Sequence, residues 1–92
     1  MKRSLPDNVS KYSETPVFTE TTVPEKLTNL HTTKAGTWGR LCVLEGQLKY
    51  IIPGPSPHSV LLKNGEFDII SPEEPHHVEI AGPVRFKVEF YK

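Results

Sequence analysis

The sequence contains a single cysteine, Cys42, in 92 residues. One cysteine excludes an internal disulfide and any CxxC metal knuckle or redox pair. Six glycines are present, but none falls in a GxGxxG or Walker A pattern, so the loops that hold dinucleotides or ATP are missing and no nucleotide cofactor is expected. No apolar run approaches the roughly 20 residues of a membrane-spanning helix. These absences exclude a disulfide scaffold, a classical nucleotide-binding loop and a transmembrane helix.

Charge of one sign is also lacking, because 11 Lys and Arg residues balance 11 Asp and Glu residues. Binding to a nucleic-acid backbone draws on a surplus of clustered cations, so no nucleic-acid partner is expected. Met1-Lys2-Arg3 resembles the charged start of a signal peptide, but the polar residues that follow supply no apolar core. We therefore expect no membrane partner and a cytoplasmic location.

Nine prolines and short stretches of alternating apolar and polar residues favour strands over long helices. The pattern predicts an all-β fold in one domain, 1–92, with an N-terminal arm over 1–25 and a barrel over 26–92. Glu45-Gly46 and Asn64-Gly65 are interpreted as the turns of two hairpins. The predicted strands cover residues 27–33, 38–44, 47–52, 59–62, 67–70, 76–80 and 84–91.

Two features favour self-association of the chain. The arm includes an extended Thr-rich segment, Thr19–Val23, and the last strand alternates cleanly from Val84 to Phe90. Extended arms and free strand edges pair readily between copies. The sequence therefore predicts a homodimer.

The histidines supply the clearest candidate chemistry. Alternation places His76 on the same face as Val78 and Ile80, and turns His77 and Glu79 to the other face. An imidazole on an apolar face must be hydrogen-bonded or must bind a metal, because an unsatisfied ring nitrogen is costly there. His31, near the end of an earlier predicted strand, is a second candidate. A hydrogen-bonded structural pair and a metal site both remain open.

Trp38, Arg40 and Cys42 share one face of the second predicted strand. An arginine stacked on the tryptophan would shape an anion pocket, whereas the alternative is a tryptophan that packs the sheet under a solvated arginine. Lys34 lies in a turn and fits either an anion contact or a solvated charge. We interpret Cys42 as a buried, unreactive thiol.

Two segments resemble the motifs of cupins, small β-barrels that commonly bind a divalent metal. Val43–Gly46 resembles the cupin turn, and Pro72–His76 resembles the corner that delivers the histidine of the second motif. The first-motif ligand positions hold Thr33, Ala35 and Gly39, so the usual site of three histidines and a glutamate is not encoded. The resemblance implies a reduced ligand set.

A narrower resemblance is to the tellurite-resistance TehB-like family, and it covers about residues 5–92. It is carried by residues 31–40, 43–50, 72–79 and 84–91. The family's small cupin-like barrel occurs alone or as the N-terminal part of a methyltransferase, and this sequence ends where the second domain would begin. The resemblance thus implies a link to tellurite or related oxyanion stress, without methyl transfer by this chain.

Carried over residue by residue, the resemblance assigns six candidate site residues. It implies a divalent ion such as zinc, nickel or iron on His31, His76 and Glu79. It implies contacts to a small anion or other small molecule from Lys34, Trp38 and Arg40. Alternation and the resemblance disagree on Glu79, and a bulge at Pro75 would reconcile them.

Three hypotheses of function follow. The first is a metal- or oxyanion-binding module concerned with tellurite or related stress. The second is a small metal-dependent enzyme, and the third is a non-catalytic interaction domain for a separate methyltransferase. The first is favoured because the resemblance spans the chain and a convincing catalytic constellation is missing.

Overall fold

The fold is all-β, as predicted, apart from one short helix; the computed structural model describes residues 4–92, and Met1-Lys2-Arg3 lie outside the described residues. The elements are β1 (Lys11–Glu14), β2 (Phe18–Thr19), α1 (Glu25–Thr28), β3 (Trp38–Ile52), β4 (His58–Lys63), β5 (Phe67–Ile70) and β6 (His77–Tyr91).

One antiparallel sheet of six strands contains all of these strands, in the order β1-β6-β3-β4. The two 15-residue strands, β3 and β6, pair with each other along most of their length. β1 and β2 pair with the far edge of β6, so the predicted N-terminal arm is part of the sheet. The sheet is open, and its closure into a cupin-like jelly-roll barrel stays a prediction.

The predicted hairpin at Glu45-Gly46 is wrong, because both residues lie inside the continuous strand β3. The pairing of β3 with β6 shifts register on both sides of Gly46, which marks a bulge. Gly46 has φ +80°, and a Cβ at this position would overlap the backbone carbonyl oxygen of Pro83. Glycine here lets the two long strands cross closely while they bend.

The second predicted hairpin is also wrong, although both of its strands form. Within residues 4–92, β4 and β5 do not pair with each other; each pairs with β3, one after the other along the same edge. The turn between them lies on the bulge of β3, where the Gly46 N–H donates to Asn64 Oδ1 at 2.5 Å and the Val43 N–H donates to the Glu66 carbonyl at 3.0 Å.

Two further boundaries differ from the sequence prediction. The separate strands predicted over 76–80 and 84–91 are one strand, β6, in which Gly82 has φ +124° at the bend. The strand predicted over 27–33 does not form, because α1 covers residues 27 and 28 and, of the rest, only His31 makes a β-bridge, to His76. Pro24 precedes α1 with φ −62°. Because proline fixes φ near this value, it is compatible with the start of a helical turn.

The sheet has two distinct faces. The inner face carries the apolar core, and the alternation predicted for Val84, Phe86 and Val88 is confirmed there. Ile80 was expected on the same face but is 38% exposed, because it lies beside the bend of β6. The core cluster consists of Leu41, Val43, Leu48, Tyr50, Ile52, Leu62, Ile70, Val78, Val84, Phe86 and Val88.

The two features that favoured a homodimer make contacts within the chain itself. The alternating residues of β6 fill the domain's own core, and Thr19 pairs with Arg85 of β6. The homodimer itself stays a prediction. In the part of the chain that the structure describes, no helix has the length and apolar character needed to cross a membrane.

Candidate functional site

A cavity of about 540 Å³ opens against the inner face of the sheet. Its walls come from residues far apart in the sequence, because β1, β2, α1, the segment after α1, β3, β5 and β6 all contribute. Most of the lining is aliphatic or aromatic. The lining residues are Tyr12, Thr15, Phe18, Pro24, Lys26, Leu27, His31, Thr32, Thr33, Lys34, Thr37, Leu41, Tyr50, Ile70, His76, Val78, Phe86, Val88 and Phe90.

His31 and His76 lie side by side in the cavity wall. His31 follows α1 and His76 immediately precedes β6, and the two form an isolated antiparallel bridge. The His31 N–H donates to the His76 carbonyl at 3.0 Å, and the His76 N–H donates to the His31 carbonyl at 2.9 Å. Their ring centroids are 4.2 Å apart at an interplanar angle of 60°. The backbone thus fixes the two imidazoles as a pair.

The hydrogen bonds of the pair define its tautomers. His31 Nδ1 lies 2.9 Å from the Asn29 carbonyl oxygen, and His76 Nδ1 lies 2.7 Å from the Glu74 carbonyl oxygen. A carbonyl oxygen only accepts, so each Nδ1 carries the proton and donates it. In the neutral rings both Nε2 atoms therefore keep their lone pairs, as in histidines that ligate metals through Nε2.

Burial keeps His76 neutral. The residue is only 2% exposed, and loss of solvation lowers the pKa of its imidazole below the ordinary value. The carbonyl of Glu74 opposes this shift, while the nearby His31 ring adds to it. A neutral imidazole at physiological pH is the form that coordinates a metal or accepts a hydrogen bond.

Lys34 and Thr33 continue the polar part of the wall. The Thr37 N–H donates to the Lys34 carbonyl at 3.0 Å, which closes the predicted turn. Thr33 Oγ1 lies 3.1 Å from the Thr37 carbonyl and 3.3 Å from the Ser71 carbonyl, so its hydroxyl is held between the turn and the segment before β6. The structure therefore brings three predicted site residues, His31, Lys34 and His76, to one cavity.

Tyr50 is a wall residue that sequence reasoning missed. Its ring is fully buried and lies 5.8 Å from the His76 ring in an edge-to-face contact, and its hydroxyl is 3.4 Å from the Ile69 carbonyl. The only available signal was its place in the alternation of Leu48, Tyr50 and Ile52 along β3. Phe18 was missed too, and it lies 5.7 Å from the Phe86 ring across the cavity wall.

Glu79 does not join the histidine pair. It is exposed, lies opposite Lys49 in the sheet and does not line the cavity. Alternation therefore separated His76, which lines the cavity, from His77, which does not, although it did not hold as far as Ile80. Among residues 4–92, no three His, Cys, Asp or Glu side chains are grouped so that they could hold a metal ion. The donor set at the cavity is thus the two imidazoles.

Trp38 and Arg40 do not reach the cavity. On β3 they alternate with the buried residues Gly39 and Leu41, which places them on the outer face. The Arg40 guanidinium lies 4.9 Å from the Phe67 ring centroid, so it stacks on Phe67. The structure thus separates these two residues from His31, Lys34 and His76.

Arg40 belongs instead to an ionic cluster on the outer face, centred on Glu89. Glu89 is 6% exposed and accepts from Arg40 Nε at 3.0 Å, Tyr91 Oη at 3.1 Å and Lys11 Nζ at 3.3 Å. Burial favours a raised pKa for this carboxyl, but the donors and the Arg40 charge outweigh burial and lower the pKa. We call this group the Glu89 cluster. It ties β1 to the end of β6.

Cys42 and His58 are two further residues of interest. Cys42 is half-buried rather than fully buried as predicted, and its partial loss of solvation raises the pKa of the thiol. His58 begins β4, and its Nε2 lies 2.7 Å from Asp68 Oδ2. It does not line the cavity.

Both the sequence and the fold of this chain are similar to those of known proteins. The TehB-like domain profile matches residues 13–88. A crystal structure of a protein from E. coli (strain K12) is similar over 98% of this chain and 96% of its own, with 25% identity and a TM-score of 0.86. The crystal structure of TehB from Haemophilus influenzae is similar over 92% of this chain, with 28% identity and a TM-score of 0.76.

The match to TehB covers only part of that protein. This chain spans 32% of the TehB crystal chain. A probable S-adenosyl-L-methionine-dependent methyltransferase TehB of Haemophilus influenzae is 46% identical over 39 residues, which are 42% of this chain and 14% of that protein.

Proposed function

This chain belongs to the TehB-like domain family, and from that premise we propose that it is a ligand-binding module concerned with tellurite or related oxyanion stress. Its binding site is the cavity wall formed by His31, His76 and Lys34. The family membership supports the link to tellurite, and the geometry of the cavity supports binding of a small ligand.

The observation that carries the proposal is the histidine pair. Two imidazoles with 4.2 Å between ring centroids lie in the wall of a cavity, and each has its Nδ1 tied to a carbonyl oxygen. Second-shell bonds of this kind fix the ring and direct Nε2 to a ligand. Two fixed lone pairs are a donor set for a divalent metal such as zinc, nickel or iron.

The residues fit such an ion as a two-histidine set. His31 and His76 would hold it, and the described residues near the pair offer no third side-chain ligand. When bound, the ion supplies open coordination positions that an oxygen of a small anion can occupy. Lys34 lines the same cavity and supplies a positive charge for that anion.

Metal analysis of the protein, purified without a histidine tag and loaded with zinc, tests the proposal. His76→Ala should abolish stoichiometric zinc binding, whereas the matched variant His77→Ala should keep it, because His77 does not line the cavity. Binding by the wild type should weaken as pH falls below about 6, because the imidazole must be neutral to coordinate.

The comparison of His76→Ala with His77→Ala distinguishes a metal-binding His76 from a structural one. Retention of zinc by His76→Ala, or no zinc binding by a folded wild type, would show that His76 is structural. Loss of zinc from His77→Ala alone would place the site on the outer face.

A second candidate function is an interaction domain for a separate methyltransferase. It is supported by the similarity to TehB, in which this fold occupies about a third of a longer chain. The small metal-dependent enzyme is less well supported, because the described part of the cavity wall contains no Asp or Glu to act as an acid–base group. Co-purification with a TehB-type methyltransferase domain would favour the interaction domain.

A further inference from the structure

The size of the cavity does not match a bare oxyanion. An ion of four heavy atoms fills on the order of 100 Å³, if each atom takes roughly the volume of one water molecule. The cavity holds about 540 Å³, which is within the range of sites for organic ligands. A small inorganic anion would therefore leave most of the space to water or to another part of a larger ligand.

The wall of the cavity favours an apolar occupant over water. Phe18, Leu27 and Phe90 line the cavity and are only half-buried, so their apolar surface faces its space. Such surfaces offer water few hydrogen bonds, so an apolar group that replaces water there gains about 3- to 4-fold in affinity for each methylene buried.

The charges of the wall favour an anionic head group. Lys26 and Lys34 line the cavity, and no Asp or Glu of the described residues does. His31 and His76 add no donor for an anion, because each Nδ1 proton is given to a carbonyl oxygen and each Nε2 presents a lone pair. Among its lining side chains, a cationic ligand would find two positive charges and no carboxylate, whereas an anion would find a partner at Lys34.

We propose that the cavity takes an organic monoanion with an apolar body, such as a medium-chain carboxylate, with its carboxylate at Lys34 and its chain along the apolar wall. This inference rests on the proposed function in that it uses the same site. It names the chemical class that the shape and charge of the site select.

Isothermal titration calorimetry of the full chain with sodium butanoate, hexanoate and octanoate tests the role of the apolar wall. Four added methylenes should raise the affinity by up to about 200-fold between butanoate and octanoate, at about 3- to 4-fold for each methylene buried. Equal affinities along the series would overturn the inference, because they would show that the apolar wall is not used.

Heptylammonium chloride has the same seven-carbon alkyl chain as octanoate up to its head group and tests the charge. It should bind at least 10-fold more weakly than octanoate, and equal binding would overturn the inference. Lys34→Gln should weaken octanoate binding about 3-fold or more and leave 1-octanol binding unchanged. Lys63→Gln is the matched control, because Lys63 is exposed at the end of β4 and does not line the cavity.

Zinc and potassium tellurite titrations separate this inference from the proposed function. Binding of zinc and tellurite without octanoate would overturn the organic-anion inference and leave the proposed function supported. Binding of octanoate without zinc or tellurite would support the inference on ligand chemistry and overturn the oxyanion role.

Discussion

The two faces of the sheet use polar residues in opposite ways. On the inner face, His31 and His76 are fixed through Nδ1, and their Nε2 lone pairs remain for a ligand. On the outer face, the carboxylate of Glu89 is occupied by Arg40, Lys11 and Tyr91. Polar groups whose bonds are all used within the chain stabilise the fold, whereas fixed groups with free capacity beside a cavity can bind. Under the proposed function, the inner face binds the ligand, and the outer face holds β1, β3 and β6 together through Lys11, Arg40 and Glu89.

This comparison also changes how the family resemblance is interpreted. Six candidate residues were carried over as one site, but the fold divides them. His31, Lys34 and His76 line the cavity, while Trp38 and Arg40 lie on the outer face. A ligand-binding role for Trp38 and Arg40 stays a prediction. The contacts of Arg40 show that it belongs to the Glu89 cluster.

The largest expected effect is a difference in stability between variants of Phe86 and Lys87, which are neighbours in sequence and lie on opposite faces of β6. Phe86 is fully buried, so Phe86→Ala should lower the free energy of unfolding by about 3–5 kcal/mol. Lys87→Ala should cost less than about 1 kcal/mol, because it loses only partly exposed ion pairs with Glu14 and Glu89. Urea denaturation measures both. Similar losses in the two variants would contradict the assignment of faces.

A smaller effect is the pH dependence of the unfolding free energy, which differs between the two faces. The pKa of His76 is lowered in the fold, so its contribution to stability is complete above the ordinary imidazole pKa of about 6.5 and is lost as pH falls towards the folded value. The pKa of Glu89 is lowered too, so its contribution is lost only below the ordinary carboxyl pKa of about 4.3.

Variants of His76 and Glu89 test which residue causes the loss of stability in each of the two pH ranges. His76→Phe removes the inner titration, so the difference in unfolding free energy between wild type and this variant should change with pH below about 6.5. Glu89→Gln should change the dependence only below about 4.3. Parallel curves for wild type and His76→Phe would contradict the account of His76.

Alternation predicted the inner face of β6 and separated His76 from His77, because burial on one face of a strand repeats every two residues. It also put Trp38, Arg40 and Cys42 on one face. Alternation did not reveal that this face is the outer one. There Arg40 contacts Glu89 of the neighbouring strand β6, which is 49 residues away in sequence. Long-range pairing of this kind leaves no local sequence pattern.

The bends were harder to predict, for a physical reason. Glu45-Gly46 is compatible with a two-residue hairpin turn and with a bulge, since both accept a glycine with positive φ. The choice depends on Pro83 of β6, which lies against Gly46 and is 37 residues away in sequence. Likewise, α1 replaces a predicted strand because Leu27 packs against the core from a helical turn.

The most direct test of binding at the inner face is a zinc titration of the ¹⁵N-labelled protein, followed by NMR of its side-chain nitrogens. The account predicts that the Nε2 signals of His31 and His76 shift together, while the Trp38 indole N–H and the Arg40 Nε–H stay in place. Shifts of Trp38 and Arg40 with unchanged histidine signals would contradict it, because they would place the binding site on the outer face.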